Sequence, residues 1–224
     1  MNNDARMPRQ RILVINPNSS AACTVGIRDA LAPLMTAEAP RFDMETLQDG
    51  PLAIATWRDW HAVADPLLRR IEAEEAAHPA SAYVIACASD PAVDLLRSVT
   101  ARPVFGALRA GIAAGVARAD RFGLIAFVAA SVPRHRRVLQ AMGLEHRCVA
   151  SLPLDLAMET LTHPDACRQR LVAVARELRE RDAEALVLGC AGMAGHRRFL
   201  EDAAGLPVID PVQAAAVQAL LACI

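Results

Sequence analysis

A chain of 224 residues can bury a substantial core, as one large domain or two small ones. Its formal net charge of −1 gives no electrostatic argument for nucleic acid or an anionic membrane surface. The sequence contains no lysine, which excludes a Schiff-base lysine and a phosphate-loop lysine.

Taken in order, Arg11–Ile15 is a continuous β-branched run, as expected for a strand covered on both faces. It is too short for a secretory signal, and no later run approaches a membrane span. Asn16-Pro-Asn-Ser-Ser20 follows, a loop that suits capping a helix and binding a small polar ligand equally well. A helix is expected over Thr24–Leu34 and a short strand over Phe42–Thr46. An amphipathic helix is expected over Asp59–Ala77, ended by His78-Pro79, with Trp57 and Trp60 packing at its start. Tyr83–Ala86 is the next buried strand. Cys87-Ala-Ser-Asp-Pro91 then opens a helix to Val99, with Asp90 at the N-cap and Pro91 in the first turn. Arg102–Gly106 reads as a strand and Gly111–Arg118 as a helix.

The pattern then restarts. Phe122–Phe127 is a strand, and Ser131-Val-Pro133 opens a helix whose Arg134-His135-Arg136-Arg137 run reads as a solvated face. Cys148–Ser151 is a short strand, and His163–Glu180 a long helix with Leu171, Val174, Ala175 and Leu178 at helical spacing. Ala185–Gly189 leads into Cys190, then a helix over His196–Ala203, a strand over Leu206–Asp210 and an apolar helix over Val212–Cys223. Strands alternating with helices imply parallel sheets. Tyr83–Gly106 and Ala185–Asp210 share one order: strand, cysteine, helix, Pro-Val. Cys87 and Cys190 lie about a hundred residues apart, as do Pro103 and Pro207. Such self-similarity implies a duplicated α/β unit, and two facing lobes would point both cysteines into one cleft.

Six cysteines without a C-x-x-C pair or a histidine at ligand spacing argue against a metal site and for free thiols in a reducing cytoplasm. Cys23, Cys148, Cys167 and Cys223 read as packing. Cys87 or Cys190 alone would read the same way, but their matched placement favours chemistry. Each follows a strand and precedes a helix, where the helix dipole would lower the thiol pKa. Two such thiols on opposite faces of one carbon suit stereoinversion: one removes a proton as thiolate and the other returns one as thiol. The N–H groups of Ala88, Ser89, Ala191 and Gly192 would hold the developing enolate oxygen, and no cofactor is needed. His196, one helical turn beyond Cys190, is expected to point away from it.

Asn16–Ser20, Ala86-Cys-Ala-Ser-Asp-Pro91, Ser131-Val-Pro133 and Leu188-Gly-Cys-Ala-Gly-Met193 together resemble the Asp/Glu/hydantoin racemase superfamily, and within it the hydantoin and allantoin racemase branch. The resemblance implies an α/β fold of two pseudo-symmetric lobes, residues 8–112 with the returning helix 211–224, and residues 113–210. It also implies cofactor-independent racemisation of a small carbon acid. Cys87 and Cys190 fall on the family's catalytic cysteines; Asn18, Ser89 and the backbone after Cys190 fall where such proteins hold substrate, and the loop residues Asn16 and Ser19 are candidates beside them. Hydantoin racemases usually carry two threonines where this chain has Ala126 and Phe127, so Phe127 would form an aromatic wall suited to a bulkier apolar substituent. Amino-acid racemases have Cys-Thr-His at the second cysteine, against Cys190-Ala-Gly here, which makes free aspartate or glutamate a poorer substrate. The related arylmalonate decarboxylases keep only the second cysteine. A sister reaction such as decarboxylation or cis–trans isomerisation and a non-catalytic ligand-binding role are the alternatives. The apolar C-terminal helix and 54% hydrophobic content point to a homo-oligomer.

Overall fold

The first strand, β1 (Arg11–Asn16), turns Ile12 and Val14 to one face and Leu13 and Ile15 to the other, and all four are buried. At about 1.5–3 kcal/mol for each buried Leu, Ile or Val, these four outweigh any single cap in fixing the sheet. The computed structural model describes residues 10–156 and 164–223. In the first lobe β1 is followed by α1 (Ala21–Leu31), β2 (Arg41–Thr46), α2 (Trp57–Ala62), α3 (Ala64–Ala77) and β3 (Ala82–Ile85). Next come α4 (Val93–Arg97), β4 (Val104–Gly106) and α5 (Ala107–Val116). The strands form a parallel sheet in the order β2-β1-β3-β4.

The second lobe repeats the plan with β5 (Phe122–Ala126), α6 (Val132–Ala141), β6 (Cys148–Pro153), α7 (Pro164–Glu180) and β7 (Ala185–Gly189). It ends with α8 (Arg197–Ala204) and β8 (Val208–Ile209), after which α9 (Pro211–Leu221) returns to pack on the first sheet. Its parallel sheet has the matching order β6-β5-β7-β8, with β5 in the place of β1 and β7 in that of β3. The fold is thus the expected pair of α/β lobes. The expected helix start at His163 lies outside the described residues. Among those residues no helix is long and apolar enough to cross a membrane.

Each sheet is covered on both faces. Ile12, Val14 and Val84 pack with Ile27 of α1 and with Val212, Ala215 and Ala216 of α9; Leu13, Ile15 and Ile85 pack under Leu67 and Ile71 of α3. In the second lobe Leu186 and Leu188 face Leu171 and Val174 of α7, while Val187 and Leu124 face Leu108 and Ile112 of α5. Helix α5 therefore belongs to both cores, since its Ala107 and Ala110 pack with α9 in the first. Gly111 lets it lie this close: a Cβ there would stand 2.9 Å from Pro211 Cβ and 3.1 Å from Val187 Cγ1.

Several boundaries differ from the sequence reading for local reasons. Helix α1 begins at Ala21 because the Ser20 hydroxyl accepts from Cys23 N–H at 3.3 Å, and Ala32–Leu34 continues it as a 3₁₀ turn. The helix expected over Asp59–Ala77 is two helices. Thr56 and Asp59 form a capping box at the start of α2, and Pro66 has no N–H to offer the Ala62 carbonyl, which is where the helix breaks.

The Asp90 expectation is corrected. Asp90 (φ 49°) and Ala92 (φ 59°) are left-handed, and α4 shrinks to Val93–Arg97. The Asp90 carboxylate instead accepts from the N–H groups of Leu108 (2.7 Å) and Arg109 (2.9 Å), so that α5 starts at Ala107 rather than Gly111. At the matching helix of the second lobe, Asp210 caps α9 itself, accepting from Val212 and Gln213. Gly106 occupies that cap position in the first lobe, where a Cβ would sit 2.4 Å from Asp90 Cγ. Asp90→Ala is expected to cost about 1–2 kcal/mol in urea unfolding, because it orphans a buried N–H. Gly106→Ala should also destabilise. Gly26→Ala, in the interior of α1 with nothing within 4 Å of the new methyl, should gain up to about 1 kcal/mol.

Candidate active site

Parallel α/β sheets gather their ligand sites beyond the carboxyl ends of the strands. Here β3 delivers Cys87 from the first lobe and β7 delivers Cys190 from the second, and both line one cavity of about 60 Å³. Of the residues expected around them, Asn18, Ala88, Ser89, Phe127 and Ala191 also line it. Asn16 stands behind the wall. Its buried amide donates to Asn18 Oδ1 (3.0 Å), Thr24 Oγ1 (3.0 Å) and the Ser20 carbonyl (3.1 Å), so it sets the loop and does not face the cavity. Ser19 is not in the wall either; its N–H donates to the Pro51 carbonyl at 3.0 Å. Gly192 lies behind Cys190 and its N–H points at that sulfur.

The wall also contains residues that sequence reasoning missed. Cys23, read as packing, reaches the cavity from the first turn of α1 and interacts with the Asn18 side chain. Ala53 and Ile54 come from the loop after β2, and Ser131 from the start of α6. The apolar loop Leu52-Ala-Ile-Ala55 has no helical or strand period, and that was the available signal for a loop bordering a site. Cys148, Cys167 and Cys223 do pack against hydrophobic clusters. His196 is not in the wall, and the charge it feels is Arg168.

The environment of the two thiols reverses one expectation. Neither cysteine heads a substantial α-helix: Cys87 enters a turn before the five-residue α4, and Cys190 enters the 3₁₀ segment Ala191–His196. Little macrodipole acts on either sulfur, and burial dominates. It pushes Cys87 up to about 11, opposed by hydrogen bonds from the hydroxyl and N–H of Ser89, the hydroxyl lying 3.3 Å from the sulfur. It pushes Cys190 up to about 12, opposed by the Gly192 N–H. The Ser89 and Gly192 amides thus face the sulfurs, which leaves the enolate role to other donors.

The basic run on α6 is likewise not a solvated face. Arg136 pairs with Glu145 at the surface, but Arg134 is 2% exposed and His135 is fully buried. His135 Nδ1 lies 2.9 Å from Ser151 Oγ, and its ring packs on Gly189, where a Cβ would stand 2.7 Å from Cε1. Burial, with the Arg134 charge, lowers its pKa to about 4, so it is neutral at physiological pH. The Cys87 turn is braced from α2 by Trp60, whose indole N–H donates to the Ser89 carbonyl at 2.8 Å. Among the described residues no cluster of three His, Cys, Asp or Glu side chains has metal-site geometry.

Residues 12–219 match the family model described as Asp/Glu/Hydantoin racemase. The chain belongs to this family. A hydantoin racemase of Paenarthrobacter aurescens is 38% identical over 212 residues, covering 92% of this chain and 87% of that protein. A hydantoin racemase of Rhizobium meliloti is 32% identical over 206 residues, covering 91% and 85%. Among solved structures, an allantoin racemase from Klebsiella pneumoniae superposes with a TM-score of 0.83 at 29% identity, covering 94% of this chain and 86% of that one. This member of the racemase family is accordingly an isomerase.

In the ligand-free enzyme the half-buried, desolvated thiols should alkylate slowly. At pH 7.5 iodoacetamide is expected to label Cys87 and Cys190 at least about tenfold more slowly than a small free thiol, with rates rising through pH 10. Rapid labelling at pH 7.5, located by peptide mass, would contradict the burial effect.

Proposed function

We propose that this racemase inverts a 5-substituted hydantoin, moving the C5 proton between Cys87 and Cys190. The observation that supports this most is that two thiols, one from each lobe, line a single small cavity. The hydantoin and allantoin racemase relatives point to the same substrate class.

The C5 proton of a hydantoin is flanked by a carbonyl carbon and a ring nitrogen, so the carbanion delocalises onto the carbonyl oxygen as an enolate. A thiolate on one face takes the proton and becomes a thiol. The electron pair of the broken C–H bond moves to the oxygen, where the N–H groups of Ala88 and Ala191 are the donors assigned to it. The opposite thiol gives its proton to C5, the enolate pair returns to carbon, and that sulfur becomes the thiolate. Two transferable protons and one negative charge are conserved throughout. The reverse enantiomer uses the same steps from the other side. Phe127 and Ile54 supply apolar wall for the 5-substituent, which favours aromatic or branched substituents over the polar ureido group of allantoin.

Each pure enantiomer of 5-benzylhydantoin and of allantoin, incubated with the enzyme, should lose optical rotation, the benzyl compound faster. Retention of rotation by every hydantoin tested would overturn the assignment. Cys87→Ser and Cys190→Ser should each slow racemisation by at least about a hundredfold, the usual scale of a positioned acid or base. Full activity in either variant would defeat the two-thiol mechanism.

A further inference from the structure

A buried cavity that must hold a thiolate needs a source of positive charge, and the walls described so far provide only hydrogen-bond donors. Arg134 is that source's natural candidate. Arg134 is 2% exposed as a residue, and its guanidinium makes no ion pair among the described residues. Nη2 donates to Ser131 Oγ (3.0 Å) and to the carbonyls of Ile54 (3.3 Å) and Ala55 (3.2 Å), while Nε and Nη1 are buried without a partner. Ser131 and Ile54 both line the cysteine cavity. The arginine therefore stands directly behind the wall, joining a helix of the second lobe to a loop of the first.

An unpaired buried cation is costly unless an anion accompanies it. Asp90 and Asp94 line the same neighbouring cavity as Arg134, but Asp90 caps α5 and Asp94 pairs with Arg109. Asp59 on α2 feels its charge but spends its carboxylate on the Ala55 and Thr56 groups of the capping box. Trp57 offers only a ring face, 5.8 Å from the guanidinium carbon. His135 beside it is neutral. Arg134 and Cys87 feel each other's charge, and the other ionisable group felt at Cys87 is Asp90, whose carboxylate opposes the thiolate and is committed to the cap of α5. At Cys190 the charges most felt are thiols: Cys23, Cys87 and Cys167.

We propose that Arg134 is a positioning residue for the reaction: the buried counter-charge that makes Cys87 the more readily ionised thiol of the pair. This rests on the two-thiol reading above and adds an asymmetry to it. The enantiomer that offers its C5 proton to Cys87 therefore meets a thiolate more often than the one that offers it to Cys190.

The test reads the thiol directly and needs no substrate. In a Cys190→Ser background, the pH profile of Cys87 alkylation by iodoacetamide should move up by about one unit on Arg134→Gln, a tenfold slower reaction at any pH below the midpoint. Arg134→Lys, which keeps the charge but not the fork of hydrogen bonds, should restore most of that loss. A midpoint unchanged in Arg134→Gln would reduce Arg134 to a brace for the loop and overturn the proposal. Should Arg134→Gln fail to fold, the unmodified enzyme decides. A local cation should raise the ratio of iodoacetate to iodoacetamide reactivity at Cys87 several-fold above that at Cys190, and equal ratios would overturn it. Racemisation that survived Cys87→Ser would defeat the two-thiol mechanism instead, and the alkylation profiles would remain readable.

Discussion

The carboxylate of Asp90 holds the first cysteine turn against the helix that crosses between the lobes. It accepts two backbone N–H groups at the start of α5, on a path kept open by the missing side chain of Gly106. From there α5 runs across the second sheet, with Leu108, Ile112 and the face at Gly111 packed on Val187 of β7, the strand that ends in Cys190. A single rigid chain of contacts thus links one sulfur to the other: turn, carboxylate, helix, strand. The link is polar at one end and close-packed at the other. Interiors packed like crystals transmit such constraints because they lack room to absorb them. Burial raises the Asp90 pKa to about 6. Between an ordinary carboxylate value and that figure the folded state holds the proton more tightly than the unfolded chain, so this group makes stability fall as pH rises through about 4 to 6 and adds no further slope above.

Burial shapes the chemistry as well. A small cavity walled by Phe127, Ile54 and strand ends desolvates both sulfurs, which makes a lone thiolate expensive. The enzyme answers locally, with Ser89 donors on Cys87 and the Gly192 amide on Cys190. A thiolate that is costly to form in the empty site is a correspondingly strong base once formed.

Much of this was legible in the sequence, and the omissions share a cause. Buried strands announce themselves by runs such as Ile12–Ile15 and Leu186–Leu188, and the duplication put Cys87 and Cys190 at equivalent strand ends. What a linear reading lacks is the partner from far along the chain. Asp90-Pro91 has the local form of a helix cap, yet its carboxylate is taken by residues eighteen and nineteen positions on. Arg134 and His135 look solvated beside Arg136 and Arg137, because nothing local reveals that the loop at Ile54 and the strand at Ser151 close over them. The lowered thiol pKa failed for a related reason: the cysteines are followed by a turn and a 3₁₀ segment, too short to carry a useful dipole, and burial raises both thiols instead.

That two thiols work on opposite faces of one carbon is the claim on which the functional reading stands. Its most direct test is the fate of deuterium during early turnover in heavy water, starting from one enantiomer of a hydantoin that the enzyme racemises. Removal by one sulfur and delivery by the other places solvent deuterium at C5 of the inverted product while the remaining substrate stays protiated. Deuterium appearing equally in recovered substrate and product would mean that a single group exchanges its proton and serves both faces, and would contradict the paired-cysteine mechanism.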